Sequence, residues 1–296
     1  MKHEDKKWAV VFEAEGLAGD PARLRLLVRG RVQGVGFRPS IFRFARAAGV
    51  AGCVRNTKRG VVIEIEGSAS AIERFGRFMV EETPPLARID ELSAEEIDLR
   101  GDGDFVIQSS DEPGGVDALF PVDAATCADC LREMRDPGDN RFRYPFINCT
   151  NCGPRFTIIE GLPYDRSLTT MRDFSMDDFC RAQYRDPGDR RFHAEPVSCP
   201  ECGPILHLLD ENGDEMAGDA IEQAARLIGR GMIVAVKGLG GYHLACLATD
   251  PAVVSRLRTR KKRPAKPFAV MFRNLGVIER HALVGETEHR LLTSPE

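Results

Sequence analysis

Two cysteine-rich windows carry the densest chemistry in this chain: Cys127-x2-Cys130-x18-Cys149-x2-Cys152 and, fifty positions on, Asp177-x2-Cys180-x18-Cys199-x2-Cys202. A C-x2-C pair turns two soft thiolates toward one ion, and two such pairs complete the tetrahedron that zinc prefers. The text between the ligands repeats as well. Arg135-Asp136-Pro137-Gly138-Asp139 returns as Arg185-Asp186-Pro187-Gly188-Asp189, and Cys152-Gly153-Pro154 as Cys202-Gly203-Pro204. The pattern predicts a duplicated metal-binding unit with two zinc ions. Asp177 takes the fourth position of the second set, where a carboxylate oxygen can ligate zinc and His193 is a nearby substitute. A degenerate, metal-free second half with one zinc per chain is the competing expectation, and the spacing also permits ligand sharing between the copies. All-cysteine sets are usually closed and structural, so catalysis at the metal is the weaker reading.

A second group of residues could bind an anion. Val28-Arg29-Gly30-Arg31-Val32-Gln33-Gly34-Val35-Gly36-Phe37-Arg38 runs from a strand into a helix. Glycines there let successive backbone N–H groups turn inward at the helix N-terminus. Arg38 can add a two-pronged contact to phosphate, and Asn56, at the end of the next strand, can reach the same mouth. A plain glycine turn with two surface polar residues fits the spacing equally well.

A third group is basic. Lys237-Gly238-Leu239-Gly240-Gly241-Tyr242-His243 precedes Arg256, Arg258, Arg260, Lys261, Lys262, Arg263 and Lys266. A basic loop beside a glycine turn could hold nucleotide phosphates or an RNA backbone; a solvated charged face is the plain alternative. Cys53 and Cys246 lie in strand-like apolar segments and are expected to be buried small hydrophobes.

These groups need elements to hold them. With 43% hydrophobic and 29% charged residues, the chain has the composition of an ordinary soluble globular protein. Its net charge of −4 gives no global attraction to nucleic acid or to an anionic membrane. No apolar run approaches the roughly 20 residues of a spanning helix, and Trp8 to Phe12 is too short for a signal-peptide core. The expected location is therefore the cytoplasm, where paired cysteines more often hold metal than form disulfides.

Along the chain, 1–20 reads as an extension and 21–110 as a compact domain. Arg23–Arg29, Val50–Asn56, Val61–Glu66, Arg88–Glu95 and Asp104–Gln108 have strand patterns. Pro39–Ala48 and Ser68–Glu81 have helical ones, the second capped by Ser68 or Ser70. That order is the ferredoxin-like βαββαβ arrangement. Asp111–Gly115 reads as a linker. The cysteine unit, 111–207, has too few aliphatic residues for a core, so metal must supply much of its stability. From 208 to 296 we expect a hairpin at Asn212-Gly213, helices at Asp219–Gly229 and Pro251–Lys261, and strands at Ile233–Val236, Tyr242–Ala248 and Phe268–Phe272. The text ends at Ser294-Pro295-Glu296 before a closing element, so this unit is expected to be truncated. The expected fold class is thus α+β and multidomain.

The loop from Gly30 to Arg38, followed by Val54-Arg55-Asn56 and Gly60, resembles the acylphosphatase signature. That resemblance implies phosphate binding by Arg38 and by the amides of Gln33, Gly34, Val35, Gly36 and Phe37. It implies water orientation by Asn56 and no covalent phosphoenzyme. Lys237–His243 and Arg260-Lys261-x-Arg263-Pro264-x-Lys266-Pro267-Phe268-Ala269-Val270-Met271 look like the start of a YrdC-type domain. This family binds ATP, makes acyl-adenylates and is linked to double-stranded RNA binding, which implies nucleotide contacts for Lys237, Lys261, Arg263 and Lys266. Taken in this order, and with Gly34–Pro39 and Tyr144–Thr157, the three parts resemble the HypF carbamoyltransferase family, maturation factors of nickel–iron hydrogenases. That resemblance implies cleavage of carbamoyl phosphate, or another acyl phosphate, at the first domain and ATP-dependent adenylation of carbamate at the YrdC-like domain. It further implies transfer to a cysteine of a HypE-like partner by a C-terminal domain that is absent here. The competing expectation is a zinc-dependent module whose basic segment grips RNA.

Overall fold

The computed structural model of the chain describes residues 12, 17–109, 123–238 and 240–294. The linker expected at Asp111–Gly115, most of the N-terminal extension and Leu239 lie outside the described residues. The chain divides into two compact units, one running to Pro204 and the other spanning Ile205–Ser294. Among the described residues no helix is long and apolar enough to cross a membrane.

The first unit opens with β1 (Ala22–Arg31), α1 (Phe37–Ala48), β2 (Ala51–Thr57), β3 (Gly60–Gly67), α2 (Ala69–Glu81), β4 (Arg88–Glu96) and β5 (Phe105–Ile107). They build a five-stranded sheet in the order β4-β1-β3-β2-β5, antiparallel except where β5 runs parallel to β2. Alternation in the strands puts Leu24, Leu26 and Val28 of β1 beside Ile65, Ile63 and Val61 of β3. This apolar face packs on Ile41 and Phe44 of α1 and on Ile72, Phe75 and Met79 of α2. Truncating Phe75 would cost about 3–5 kcal/mol by the usual cavity cost. The other face carries cross-strand ion pairs, Arg23 with Glu64 and Glu66 at 2.8 Å and Arg25 with Glu64 at 3.0 Å. Cys53 is buried, but directly across from Glu64 rather than in the apolar cluster. Helix α1 starts at Phe37, two residues before the predicted Pro39. Proline is tolerated there because first-turn amides lack intrahelical partners.

The cysteine segment contributes two short helices, α3 (Ala128–Arg135) and α4 (Asp178–Arg185), set in turns and single 3-10 turns. Small buried clusters surround the cysteines of each half. The sequence repeat is a backbone repeat too. Arg143 and His193, fifty positions apart, both adopt the left-handed conformation, with φ of 59° and 51°. Their amides donate to Met134 O at 2.8 Å and Tyr184 O at 3.1 Å, again at equivalent positions.

The second unit holds α5 (Ala220–Gly229), an antiparallel ribbon of β6 (Val234–Lys237) and β7 (Tyr242–Ala245), α6 (Pro251–Lys261), α7 (Leu275–Ile278) and α8 (Glu286–Leu292). The hairpin at Asn212-Gly213 is present, with Met216 N donating to Leu208 O at 2.9 Å. The strand predicted at Phe268–Phe272 is not formed. An apolar run becomes a strand only against a partner edge; here Met271 is 98% exposed, and Phe268 instead lies under the guanidinium groups of Arg258 and Arg263. Cys246 follows the end of β7 and is only partly buried, contrary to the expectation of a core position.

Candidate functional site

The anion loop lies between β1 and α1, and the cysteine segment is packed on top of it. Val32, Val35 and Phe37 point into the core and pin the loop. Gly34 and Gly36 turn it, with φ of 70° and 75°. A Cβ on Gly34 would come within 2.8 Å of Pro154 and 3.0 Å of the Tyr164 ring, and one on Gly36 within 3.1 Å of Thr150. Glycine is thus required twice over, by conformation and by the segment seated against it. The Gln33 side chain is occupied structurally. It donates to Thr57 O at 2.8 Å and Gly60 O at 3.0 Å, and its Oε1 accepts from Tyr164 N at 2.9 Å.

Arg38 and Asn56 meet as the sequence suggested. Arg38 is only 7% exposed; its Nη1 lies 2.7 Å from Asp165 Oδ1 and its Nη2 2.7 Å from Glu195 Oε1. Asn56 Nδ2 donates to Tyr164 O at 3.1 Å and reaches Asp165 Oδ1 at 3.5 Å. Asn56 Oδ1 is buried and accepts no hydrogen bond among the described residues. Burial alone would lower the Arg38 pKa, but Asp165 and Glu195 raise it, so the guanidinium stays charged. Burial pushes Glu195 upward while Arg38 pulls it back, and Tyr184 Oη and Arg166 N each donate to Oε2 at 3.0 Å. His193 is pushed down to about 4, by burial first and by the Arg38 charge second, and is neutral near pH 7. A cavity of about 20 Å³ beside Arg38 is lined by Gly34, Gly36, Thr150 and Glu195, among others. It has room for about one water and not for a phosphoryl group.

Both predicted metal sets assemble, each within its own half. The ligand atoms of Cys127, Cys130, Cys149 and Cys152 lie within 4.8 Å of one another, as do those of Asp177, Cys180, Cys199 and Cys202. The Cys127–Cys149 sulfurs are 3.6 Å apart, Cys149–Cys152 3.8 Å and Cys199–Cys202 3.7 Å. Zinc–sulfur bonds of roughly 2.3 Å give a tetrahedral edge of about 3.8 Å, so the cages have zinc dimensions. Contacts with Cys130 and Cys152 hold the Cys149 thiol down, while contacts with Cys149 and Cys152 drive Cys130 up. Four thiols gathered like this need a cation to ionise together. Asp177 caps α4, accepting from Cys180 N at 2.7 Å through Oδ1, and faces Cys199 Sγ at 3.0 Å through Oδ2. His193 does not replace it. Its ring packs on Tyr184 and Phe192, at centroid distances of 4.9 and 4.7 Å, on the side of Arg38.

The halves also brace one another reciprocally. Arg141 of the first half donates Nε to Ser198 O at 2.8 Å and Nη2 to Cys180 Sγ at 3.2 Å. Arg191 of the second donates Nε to Asn148 O at 3.0 Å and points Nη2 toward Cys130 Sγ at 3.9 Å. All three positions of each set correspond at the fifty-residue spacing. Sequence reasoning missed these arginines, although the repeated Arg-Phe of Arg141-Phe142 and Arg191-Phe192 was the available signal. It also missed Tyr164, Asp165, Tyr184 and Glu195. Tyr184 and Glu195 stand where the first copy has Met134 and Pro145. The second copy therefore departs from the first where it faces Arg38.

In the second unit, Lys237, Lys261 and Lys266 are exposed, and none forms an ion pair among the described residues. Arg263 turns back on its own loop, donating to Pro267 O at 3.1 Å and lying over Phe268. It braces the basic loop.

Comparison with known proteins matches the acylphosphatase family to residues 24–107, the HypF finger family to 126–159 and 178–209, and the Sua5–YciO–YrdC family, described as telomere recombination, to 226–296. The chain is 50% identical over 277 residues to carbamoyltransferase HypF2 of Cupriavidus necator, covering 93% of itself and 34% of that protein. It is 43% identical over 91 residues to an acylphosphatase of Anaeromyxobacter dehalogenans, covering 30% of itself and 97% of that protein. A crystal structure of full-length HypF in a phosphate- and nucleotide-bound form superposes with a TM-score of 0.87 at 45% identity, covering 95% of this chain and 37% of that one.

Proposed function

Because the chain belongs to the HypF carbamoyltransferase family, we propose that its first unit cleaves an acyl phosphate, carbamoyl phosphate in the family's chemistry, at the Gln33–Arg38 loop. The observation that carries this is the convergence of Arg38 and Asn56: one oxygen, Asp165 Oδ1, lies 2.7 Å from Arg38 Nη1 and 3.5 Å from Asn56 Nδ2. The loop amides and Arg38 hold the phosphoryl group and neutralise its charge. Asn56 orients a water through its free Oδ1. The water oxygen bonds to phosphorus as the phosphorus–acyl oxygen bond breaks. The carboxylate leaves with the bonding electrons, and the water's proton ends on phosphate. The fit needs mainly positioning, because a mixed anhydride is already reactive.

Zinc suits both cysteine sets, two ions per chain, and there it ties together turns too short of apolar residues to fold alone. Its part is structural: it holds Thr150, Tyr164, Asp165 and Glu195 against the loop. The chain spans about a third of the curated HypF relatives, so the family's later steps need residues beyond it. ATP-dependent adenylation of carbamate through Lys237, Lys261, Arg263 and Lys266, transfer to a HypE-like partner and a cytoplasmic setting are the corresponding proposals. Nothing in the comparisons favours RNA binding by the basic segment.

The test is phosphate release from carbamoyl or acetyl phosphate by the chain. Asn56→Ala and Arg38→Ala should each lower kcat/KM by about 100-fold or more, the usual scale for one positioned electrostatic group. Asn56→Ala is the cleaner variant, since it leaves the buried charges balanced. Wild-type turnover in both would overturn the assignment.

A further inference from the structure

Both residues that the proposed chemistry needs are already engaged by one carboxylate. Asp165 Oδ1 bridges Arg38 Nη1 and Asn56 Nδ2, and Glu195 takes the other terminal nitrogen of Arg38 at 2.7 Å. The two carboxylates are held very differently. Glu195 is 3% exposed, and its second oxygen receives Tyr184 Oη and Arg166 N. Turning it away would strand three partners. Asp165 is 17% exposed, and its side chain contacts Arg38 and Asn56. It precedes a short 3-10 turn, Arg166–Leu168, without capping it by its side chain. Its carboxylate can therefore leave without undoing local structure.

The neighbouring cavity of about 20 Å³ cannot take a phosphoryl group alongside this arrangement. A phosphate dianion added to one guanidinium and two carboxylates would also meet net repulsion at short range. With Asp165 turned out, the loop amides and Arg38 face the anion against a single carboxylate.

We propose that Asp165 is a displaceable internal ligand of the anion site, bound to Arg38 and Asn56 until an acyl phosphate exchanges with it. The proposal rests on the acyl-phosphate reading and deepens it. The exchange sets specificity. A simple carboxylate offers Arg38 no more than Asp165 already does, whereas a phosphoryl group also brings oxygens for the loop amides. The carboxylate product is likewise a poor competitor for re-entry, because Asp165 closes behind it.

The experiment compares the wild-type chain, zinc-loaded, with Asp165→Asn and Asp165→Ala. Inorganic phosphate affinity is read by calorimetry and acetyl phosphate turnover by phosphate release, with circular dichroism and zinc content reporting the fold. Removing the competing charge should tighten phosphate binding about tenfold or more and lower KM in proportion. Unchanged or weaker phosphate binding in a folded variant overturns the exchange. If that result comes with wild-type hydrolysis, the acyl-phosphate reading stands and only the exchange falls. Tighter phosphate binding without turnover in either protein leaves the exchange standing and removes the enzymatic reading. Neither binding nor turnover in any of the three overturns both.

Discussion

His193 shows how much one side chain depends on the charge it faces. It sits beside Arg38 in a partly buried, left-handed position, and its pKa is pushed down to about 4. In the unfolded chain it would titrate near 6.5. Between those values the unfolded state binds a proton that the folded state does not, so stability is full above pH 6.5 and falls as pH drops toward 4. For this group the loss is at most about 3 kcal/mol. Urea unfolding at pH 7 and pH 4.5 should therefore show a larger drop for wild type than for His193→Asn, a residue that accepts the left-handed backbone. Metal release affects both proteins, so the difference between them isolates the histidine. The positions of Arg38 and Asn56 at one loop mouth were legible in the sequence, because glycine spacing, a strand end and a helix start mark them locally, whereas their roles came from the acylphosphatase resemblance. Asp165 and Glu195 were not, because they lie on turns without periodicity and reach Arg38 only through the tertiary fold. Glu195 left one trace, as a departure from the repeat at the position of Pro145.

At the scale of elements, the turns that follow the two cysteine helices are tied to the opposite half's site more than their separation in sequence suggests. Arg141 supports the sulfur of Cys180, and Arg191 the neighbourhood of Cys130. Losing a hydrogen bond to a metal ligand commonly weakens metal binding by about 10–100-fold. Arg141→Leu should thus speed chelator-driven release chiefly from Asp177, Cys180, Cys199 and Cys202, on its partner half. Arg191→Leu should act on the other set, and site-resolved cobalt or cadmium spectra would distinguish the two. Equal release from both sets in Arg141→Leu would remove the reciprocity. The sheet strands and helices α1 and α2 followed from alternation and helical spacing, because they pack on one apolar cluster; α3 and α4 did not, since each buries only its cysteine. Phe268–Phe272 carried the same apolar signal, but no described strand stands beside it to accept its hydrogen bonds.

For the whole molecule, the metal cages and the sheet differ in what holds them. The sheet has a buried apolar core of its own, whereas the finger has two small clusters built largely from its ligands. Removal of zinc by a strong chelator should free amides across 123–204 to hydrogen exchange while β1 to β3 keep their protection. Uniform loss of protection would show instead that the sheet depends on the cages. The contact between Arg38 and Glu195 spans 157 residues of chain. At synthesis rates of roughly 5–20 residues per second, the second partner follows the first by about 8–30 seconds. Until Asp165 and then Glu195 have emerged, the arginine of the anion loop lacks the carboxylates that later pair with it, so a nascent chain meets phosphate without the internal competition that the finished protein imposes.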